Sequence, residues 1–84
     1  MPRFHFDTVD GDKFIPDEIG VELPTREVAR AEATRSLADL ARDMSPDAAR
    51  QIVVEVSDDE GRPLFRTALY FEVEDFGNMG RAEE

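Results

Sequence analysis

The feature that most constrains the fold is a segment without Gly or Pro that runs from Thr25 to about Met44. Apolar residues recur in it at steps of three or four, the spacing that places side chains on one face of an α-helix. We expect Thr25 to cap this helix, because its hydroxyl can accept a hydrogen bond from a first-turn amide. The predicted stripe comprises Ala29, Ala33, Leu37, Leu40 and Met44, with Val28 and Ala41 beside it.

The chain before the helix predicts a β-hairpin. Residues 3–9 alternate apolar and polar side chains, with Phe4 and Phe6 on one face, as a half-buried strand requires. The Asp-Gly pair at 10–11 predicts a two-residue type I′ turn, since glycine accepts a positive φ. The second strand should end at Pro16 or lie at the sheet edge, because proline lacks an amide donor, and a turn and a short extended piece should follow.

A second hairpin is predicted after the helix. One further helical turn is expected over 45–50, where a serine cap precedes a proline. Residues 51–57 are rich in β-branched side chains and predict a strand. A type I turn at 58–61, with Gly61 in the left-handed conformation, should form a hairpin with a small bulge, and a last strand should cover 63–73.

This order of elements predicts an α+β fold of ββαββ order, a four-stranded, mainly antiparallel sheet with one long helix on one face. The chain has 84 residues, which is enough for a single domain with a thin core. We expect this domain to span residues 1–73. Residues 74–84 lose periodicity and gather Gly and acidic side chains, so they are expected to form a flexible acidic tail.

The charge of the chain restricts its partners. Twenty Asp and Glu against ten Lys and Arg give a formal net charge of −10, which disfavours nucleic acid and anionic lipid and favours a basic protein partner. The absence of cysteine excludes disulfides, thiolate metal sites and thiol catalysis. No apolar run fits a signal peptide or a membrane span, so we expect a soluble, cytoplasmic protein.

No motif for catalysis, a cofactor or a metal is visible. Aligning Gly11 or Gly61 with the glycine of an EF-hand loop puts apolar or aromatic residues at the first ligand position. The five glycines form neither a phosphate-binding loop nor a dinucleotide fingerprint. His5 is the single histidine, and nothing around it in sequence beyond Asp7 indicates a catalytic base. We therefore expect a protein that is not an enzyme.

An acidic cluster before the helix offers one candidate binding site. Asp17, Glu18 and Glu22 surround a turn, and such carboxylates can hold a cation or a basic peptide. Acidic residues near a helix start are also favoured by the helix dipole, which is sufficient to explain them. An acidic ligand- or metal-binding domain is the alternative functional hypothesis.

The last strand offers the other candidate, because both of its faces are partly apolar. A single helix can cover only the face of Phe65, Leu69 and Phe71. The leading hypothesis is a non-enzymatic interaction module, either a homodimer or a small adaptor, that uses the other face. A second possibility is that His5, Arg66 and Phe76 cover that face within one chain. The predicted interaction residues are Leu64, Ala68, Tyr70 and His5.

Several segments resemble a family of short alphaproteobacterial domains of unknown function. They are the start Met-Pro-Arg-Phe-His-Phe at 1–6, the turn Asp-Gly-Asp at 10–12, Pro-Asp-Glu-Ile-Gly-Val-Glu-Leu-Pro at 16–24 and the alanine-rich helix that follows. His5 separates two aromatic residues that are often adjacent in the family, and the acidic tail is longer here. The resemblance implies the same architecture and a bacterial, cytoplasmic protein, and it implies no catalytic residue.

Overall fold

The computed structural model describes residues 1–43 and 50–77, which form one helix and five strands. The predicted α+β class and hairpin–helix–hairpin order are confirmed, and the short extended piece before the helix is an additional strand. The elements are β1 (Arg3–Asp10), β2 (Lys13–Ile15), β3 (Val21–Glu22), α1 (Arg26–Arg42), β4 (Arg50–Ser57) and β5 (Pro63–Phe71).

The sheet is antiparallel throughout and has the strand order β2-β1-β4-β5. The first strand, β1, is long enough to hold two short strands on one edge. β2 pairs with the Thr8–Asp10 end of β1, and β3 pairs with Arg3 and Phe4 at the other end. The fifth strand is a correction to the four that the sequence predicted, and it forms because the turn at 16–20 returns the chain to β1.

Both predicted hairpins are present, with one change in turn geometry. Asp10 pairs with Lys13, so the first loop is Gly11-Asp12 and begins one residue later than predicted. Only Gly11 in this loop has a positive φ, at 65°, which fits a type II′ turn rather than type I′. In the second hairpin, the Gly61 amide donates to the Asp58 carbonyl and Gly61 has a φ of 83°, as predicted.

The helix begins where its cap was predicted. The Thr25 hydroxyl accepts from the Val28 amide at 3.1 Å. Ala29 and Ala33 are fully buried and Leu37 is 7% exposed, so the small side chains bring the first half of α1 close to the sheet. Met44 and the helical turn predicted at 45–50 lie outside the described residues, except that Arg50 begins β4.

The core lies between α1 and one face of β1, β4 and β5. Its fully buried large side chains are all on β4, the central strand that both β1 and β5 flank. The core cluster consists of Phe4, Ala29, Ala33, Leu37, Ile52, Val54 and Val56. Within residues 1–43 and 50–77, no helix has the length and hydropathy needed to cross a membrane.

Candidate functional site

The candidate site is the face of the sheet opposite α1, which we call the open face. Directly paired residues of antiparallel strands place their side chains on the same face, so the register identifies its members. Val9 pairs with Phe14 on one side and with Val53 on the other, and Val53 pairs with Ala68. One apolar side chain from each of four strands therefore lies in a continuous line, the apolar row: Phe14, Val9, Val53 and Ala68.

The apolar row is accessible at its two ends and buried at Val53. Phe14 is 59% exposed and Ala68 is also exposed, whereas Val53 in the centre is only 8% exposed. Tyr70 extends the apolar surface beside Ala68 and is 62% exposed, with its hydroxyl 3.4 Å from Glu72 Oε1. The ring of Tyr70 therefore provides a large apolar contact area together with a polar tip.

Two of the four predicted interaction residues, Ala68 and Tyr70, lie exposed on the open face. Leu64 does not, which corrects the sequence-based expectation. Val56 pairs with Phe65 and Ser57 pairs with Pro63, so Leu64 is an extra residue in β5. Such a bulge interrupts the alternation of side chains, and Leu64 packs against the core cluster as Phe65 does.

Phe14 and Val9 were missed as site residues by sequence reasoning. Phe14 lies in a strand of three residues, and nothing in the sequence shows which partner it faces across the turn. The available signal was the alternation in residues 3–9, which places Val9 on the face opposite Phe4 and Phe6. Only the register of β1 with β4 shows that Val9 and Val53 are neighbours on that face.

The fourth predicted interaction residue, His5, lies at one end of the open face and links two loops. Its Nδ1 is 2.9 Å from the Asp17 carbonyl oxygen, and its Nε2 is 3.1 Å from Asp59 Oδ1. Because both neighbours are acceptors, both ring nitrogens donate when the ring is protonated. The hydrogen bond to the Asp17 backbone, and then that to Asp59, raise the pKa of His5 above 6.5 against the opposing effect of burial.

Both ring nitrogens of His5 are engaged by the two loops. Ser57 is its cross-strand partner and lines the same surface depression. A general base for the Ser57 hydroxyl needs an imidazole nitrogen that accepts its proton, but the two nitrogens of His5 already face Asp17 and Asp59. The contacts of His5 hold two loops together instead.

The predicted acidic cluster is divided among separate contacts. Asp17 Oδ2 accepts from the Phe6 amide at 3.1 Å, and Oδ1 accepts from the amides of Ile19 at 3.2 Å and Gly20 at 3.0 Å. Burial raises the pKa of Asp17, but these three hydrogen bonds outweigh it and hold the pKa below 3.8. The carboxylate therefore shapes the 16–20 turn.

The other two members of the acidic cluster also lie apart. Glu22 Oε2 pairs with the Arg3 guanidinium at 3.2 Å, and Glu18 is exposed. In the described part of the chain, no group of three or more His, Cys, Asp or Glu residues has a geometry that holds a metal ion. The three carboxylates predicted as one cluster thus have separate surroundings: Asp17 shapes the turn, Glu22 is exposed and paired with Arg3, and Glu18 is exposed.

Acidic side chains nevertheless gather at one side of the apolar row. A shallow depression of about 430 Å³ lies on the open face around His5. A charged row lies between the depression and the apolar row. In it, Glu55 of β4 lies opposite Asp7 of β1 and opposite Arg66 of β5. The carboxylates that line the depression are Asp7, Asp17, Glu18, Asp58 and Asp59. The open face thus combines an apolar line with an acidic end.

Comparisons with known proteins give a family for this chain and no named relative. Neither the curated proteins nor the solved structures contain a match to this chain. A family described as "Domain of unknown function (DUF6894)" matches residues 3–75, which include every strand and the helix. The chain therefore belongs to the DUF6894 family of domains of unknown function.

Proposed function

We propose that this domain is a non-enzymatic protein-interaction module that binds a partner on its open face. The observation that carries the proposal is the apolar row, which crosses four strands on the side of the sheet that α1 does not cover. Exposed apolar side chains are common singly, but an apolar line across a sheet with exposed residues at both of its ends, Phe14 and Ala68, is typical of an interaction surface. Phe76, considered from sequence as a cover for this face, is itself 76% exposed.

The charge of the open face favours a basic partner over a second copy of the same face. The chain carries a formal net charge of −10, and five carboxylates line the depression beside the charged row. Two copies packed face to face with their strands running in the same direction would bring two acidic depressions together, at an electrostatic cost. A partner with apolar side chains and lysine or arginine would cover the apolar row and pair with the acidic end.

The alternative of a cation or acidic-ligand site at Asp17, Glu18 and Glu22 has less support. All of the described contacts of the Asp17 carboxylate are to backbone amides of its own turn and of β1. A cation would have to displace those amides or the Arg3–Glu22 ion pair. We therefore place the function on the apolar row.

The test uses a defined probe, a synthetic amphipathic helical peptide made of leucine and lysine. We expect it to shift the backbone amide resonances of the apolar row and of the charged row in the 15N-labelled protein. Phe14→Asp should weaken binding by at least about tenfold, because it places a charge in the apolar row and raises the cost of burying it. The measurements are NMR titration and calorimetry.

A matched control separates the open face from general charge attraction. Val28 is another exposed apolar residue, 40% exposed on α1, and Val28→Asp adds the same charge on the helix side of the protein. Binding by Val28→Asp should equal that of the wild type or exceed it slightly. Equal loss in both variants, shifts confined to α1, or no binding of the peptide would each refute the proposal.

A further inference from the structure

The strand β5 ends the sheet with a long edge. It has nine residues and, within the described ranges, pairs only with β4. The opposite edge is built differently, because β1 is covered there by β2, β3 and the turn at 16–20, and β2 itself has only three residues. A long edge strand presents backbone donors and acceptors to which another strand can pair.

The hydrogen bonds of β4 with its neighbours show which backbone groups of β5 point away from the sheet. The Gly11 amide donates to the Gln51 carbonyl at 3.1 Å, so β4 turns its odd-numbered residues toward β1 and its even-numbered ones toward β5. The partners of Ile52 and Val54 are Leu69 and Thr67, which therefore face β4. The residues whose backbone groups point away from β4 are Arg66, Ala68 and Tyr70.

Among the residues that the structure describes, contacts protect only the beginning of this edge. Pro63 at the first position has no amide donor, and the Arg26 guanidinium donates to the Leu64 carbonyl at 2.7 Å. Beyond the bulge, the segment 66–71 has neither proline nor an irregularity. Arg66 is its single charged side chain, so charge alone does not prevent pairing.

The segment is also self-complementary. When two copies of β5 lie antiparallel with Leu69 opposite Leu69, Arg66 of each copy faces Glu72 of the other.

In the same register, Ala68 faces Tyr70 of the other copy, which sets a small side chain against a large one. On the helix side, Phe65 faces Val73, an apolar side chain that is 51% exposed in the single chain.

Neighbouring registers that keep the backbone groups aligned are less favourable. A shift by one residue in each copy toward Ala68 places Arg66 opposite Tyr70 and Leu64 opposite Glu72, and the attractive ion pair is lost. The opposite shift keeps an ion pair, because Arg66 then faces Glu74, but it places Phe65 opposite Asp75 and Ala68 opposite Glu72. The register centred on Leu69 is therefore the one that gives Arg66 an acidic partner and also gives Phe65 and Ala68 apolar or aromatic ones.

We propose that β5 pairs antiparallel with β5 of a second copy of this chain, centred on Leu69, so that two sheets join into one. A twofold axis perpendicular to the sheet relates the copies. Both helices then lie on one side and both open faces on the other, without bringing the acidic depressions face to face. This proposal does not depend on what binds the apolar row.

Sedimentation equilibrium from micromolar to about millimolar concentration tests the pairing, because the interface is at the small end of the usual range. We expect a concentration-dependent dimer. Arg66→Glu and Glu72→Arg should each weaken dimerisation at least about tenfold, since each change turns two attractive pairs per dimer into two repulsive ones. The double variant with both changes should recover the wild-type association within about threefold.

Arg35→Glu is the matched control, because Arg35 is exposed on α1 and pairs within the helix with Glu32. It should dimerise as the wild type does. Circular dichroism confirms that each variant is folded, and amide exchange at Arg66, Ala68 and Tyr70 should slow as protein concentration rises. A monomer at every concentration, or single variants that dimerise like the wild type, would overturn the proposal, as would failure of the double variant to recover.

Discussion

His5 and Asp17 join the 16–20 turn to β1 through two contacts, one to the backbone of Asp17 and one to its side chain. The imidazole Nδ1 of His5 is 2.9 Å from the Asp17 carbonyl oxygen, while Asp17 Oδ2 accepts from the amide of Phe6, the next residue in β1. The Asp17 amide completes the contact by donating to Asp7 Oδ1 at 2.8 Å. The turn at 16–20 thereby fills the gap along β1 between β2 and β3.

The first prediction concerns pH. The pKa of His5 is raised in the folded protein, so its contribution to stability is fully present below about 6.5 and is lost as pH rises through the higher folded value. We expect the free energy of unfolding to fall between pH 5.5 and pH 9. Urea denaturation measures the free energy of unfolding at both pH values, and the fall between them should be smaller in His5→Gln. An equal fall in His5→Gln would show that other groups cause the pH dependence.

The second prediction concerns the Asp17 carboxylate. Asp17→Ala removes the acceptor of three backbone amides, so it should destabilise the fold by about 1–3 kcal/mol. Asp17→Asn keeps one acceptor oxygen and should cost less. Glu18→Ala is the control, since the exposed Glu18 side chain predicts a change within about 0.5 kcal/mol. Urea denaturation measures the stability of all three variants. An equal effect of Asp17→Ala and Glu18→Ala would contradict the structural role of Asp17.

The third prediction compares two glycines with similar backbone angles. Gly11 and Gly20 have φ values of 65° and 80°, so alanine is strained at both. A Cβ at Gly20 would lie 2.9 Å from Arg3 Cγ and 2.9 Å from His5 Cε1, whereas at Gly11 nothing lies within 4 Å. Gly20→Ala should therefore cost about 1–3 kcal/mol more than Gly11→Ala in thermal unfolding. Equal losses would mean that the turn moves freely away from β1.

The fourth prediction concerns the close approach of α1 to the sheet. Ala33 is fully buried, so Ala33→Leu should overpack the core and destabilise it by about 1–3 kcal/mol. Ala38 is exposed on the same helix, and Ala38→Leu should change stability by less than about 0.5 kcal/mol. Thermal and urea unfolding of the two variants provide the comparison. A tolerated Ala33→Leu would indicate that the helix can move away from the sheet.

Much of the secondary structure was predictable because its causes are local. The stripe in residues 25–44 and the Thr25 hydroxyl determine the face of α1 and its first residue. The β-branched segment at 51–57 and Gly61 likewise determine β4 and its following turn. The two-residue strand β3 was recognisable only as a short extended piece, since its pairing depends on the Asp17 contacts with β1 rather than on its own residues.

The candidate site was less predictable, because it depends on register. The sequence alone determined the class of the fold, the face of the helix and the apolar character of both faces of the last strand. It left open whether His5, Arg66 and Phe76 cover the far face, and the structure shows Ala68 and Tyr70 exposed there. Tertiary structure decided that Leu64 leaves the open face at a bulge, and that Phe14, Val9 and Val53 form a line with Ala68. Helix periodicity is set within one segment, whereas the neighbours of a strand residue are set by hydrogen bonds to distant segments.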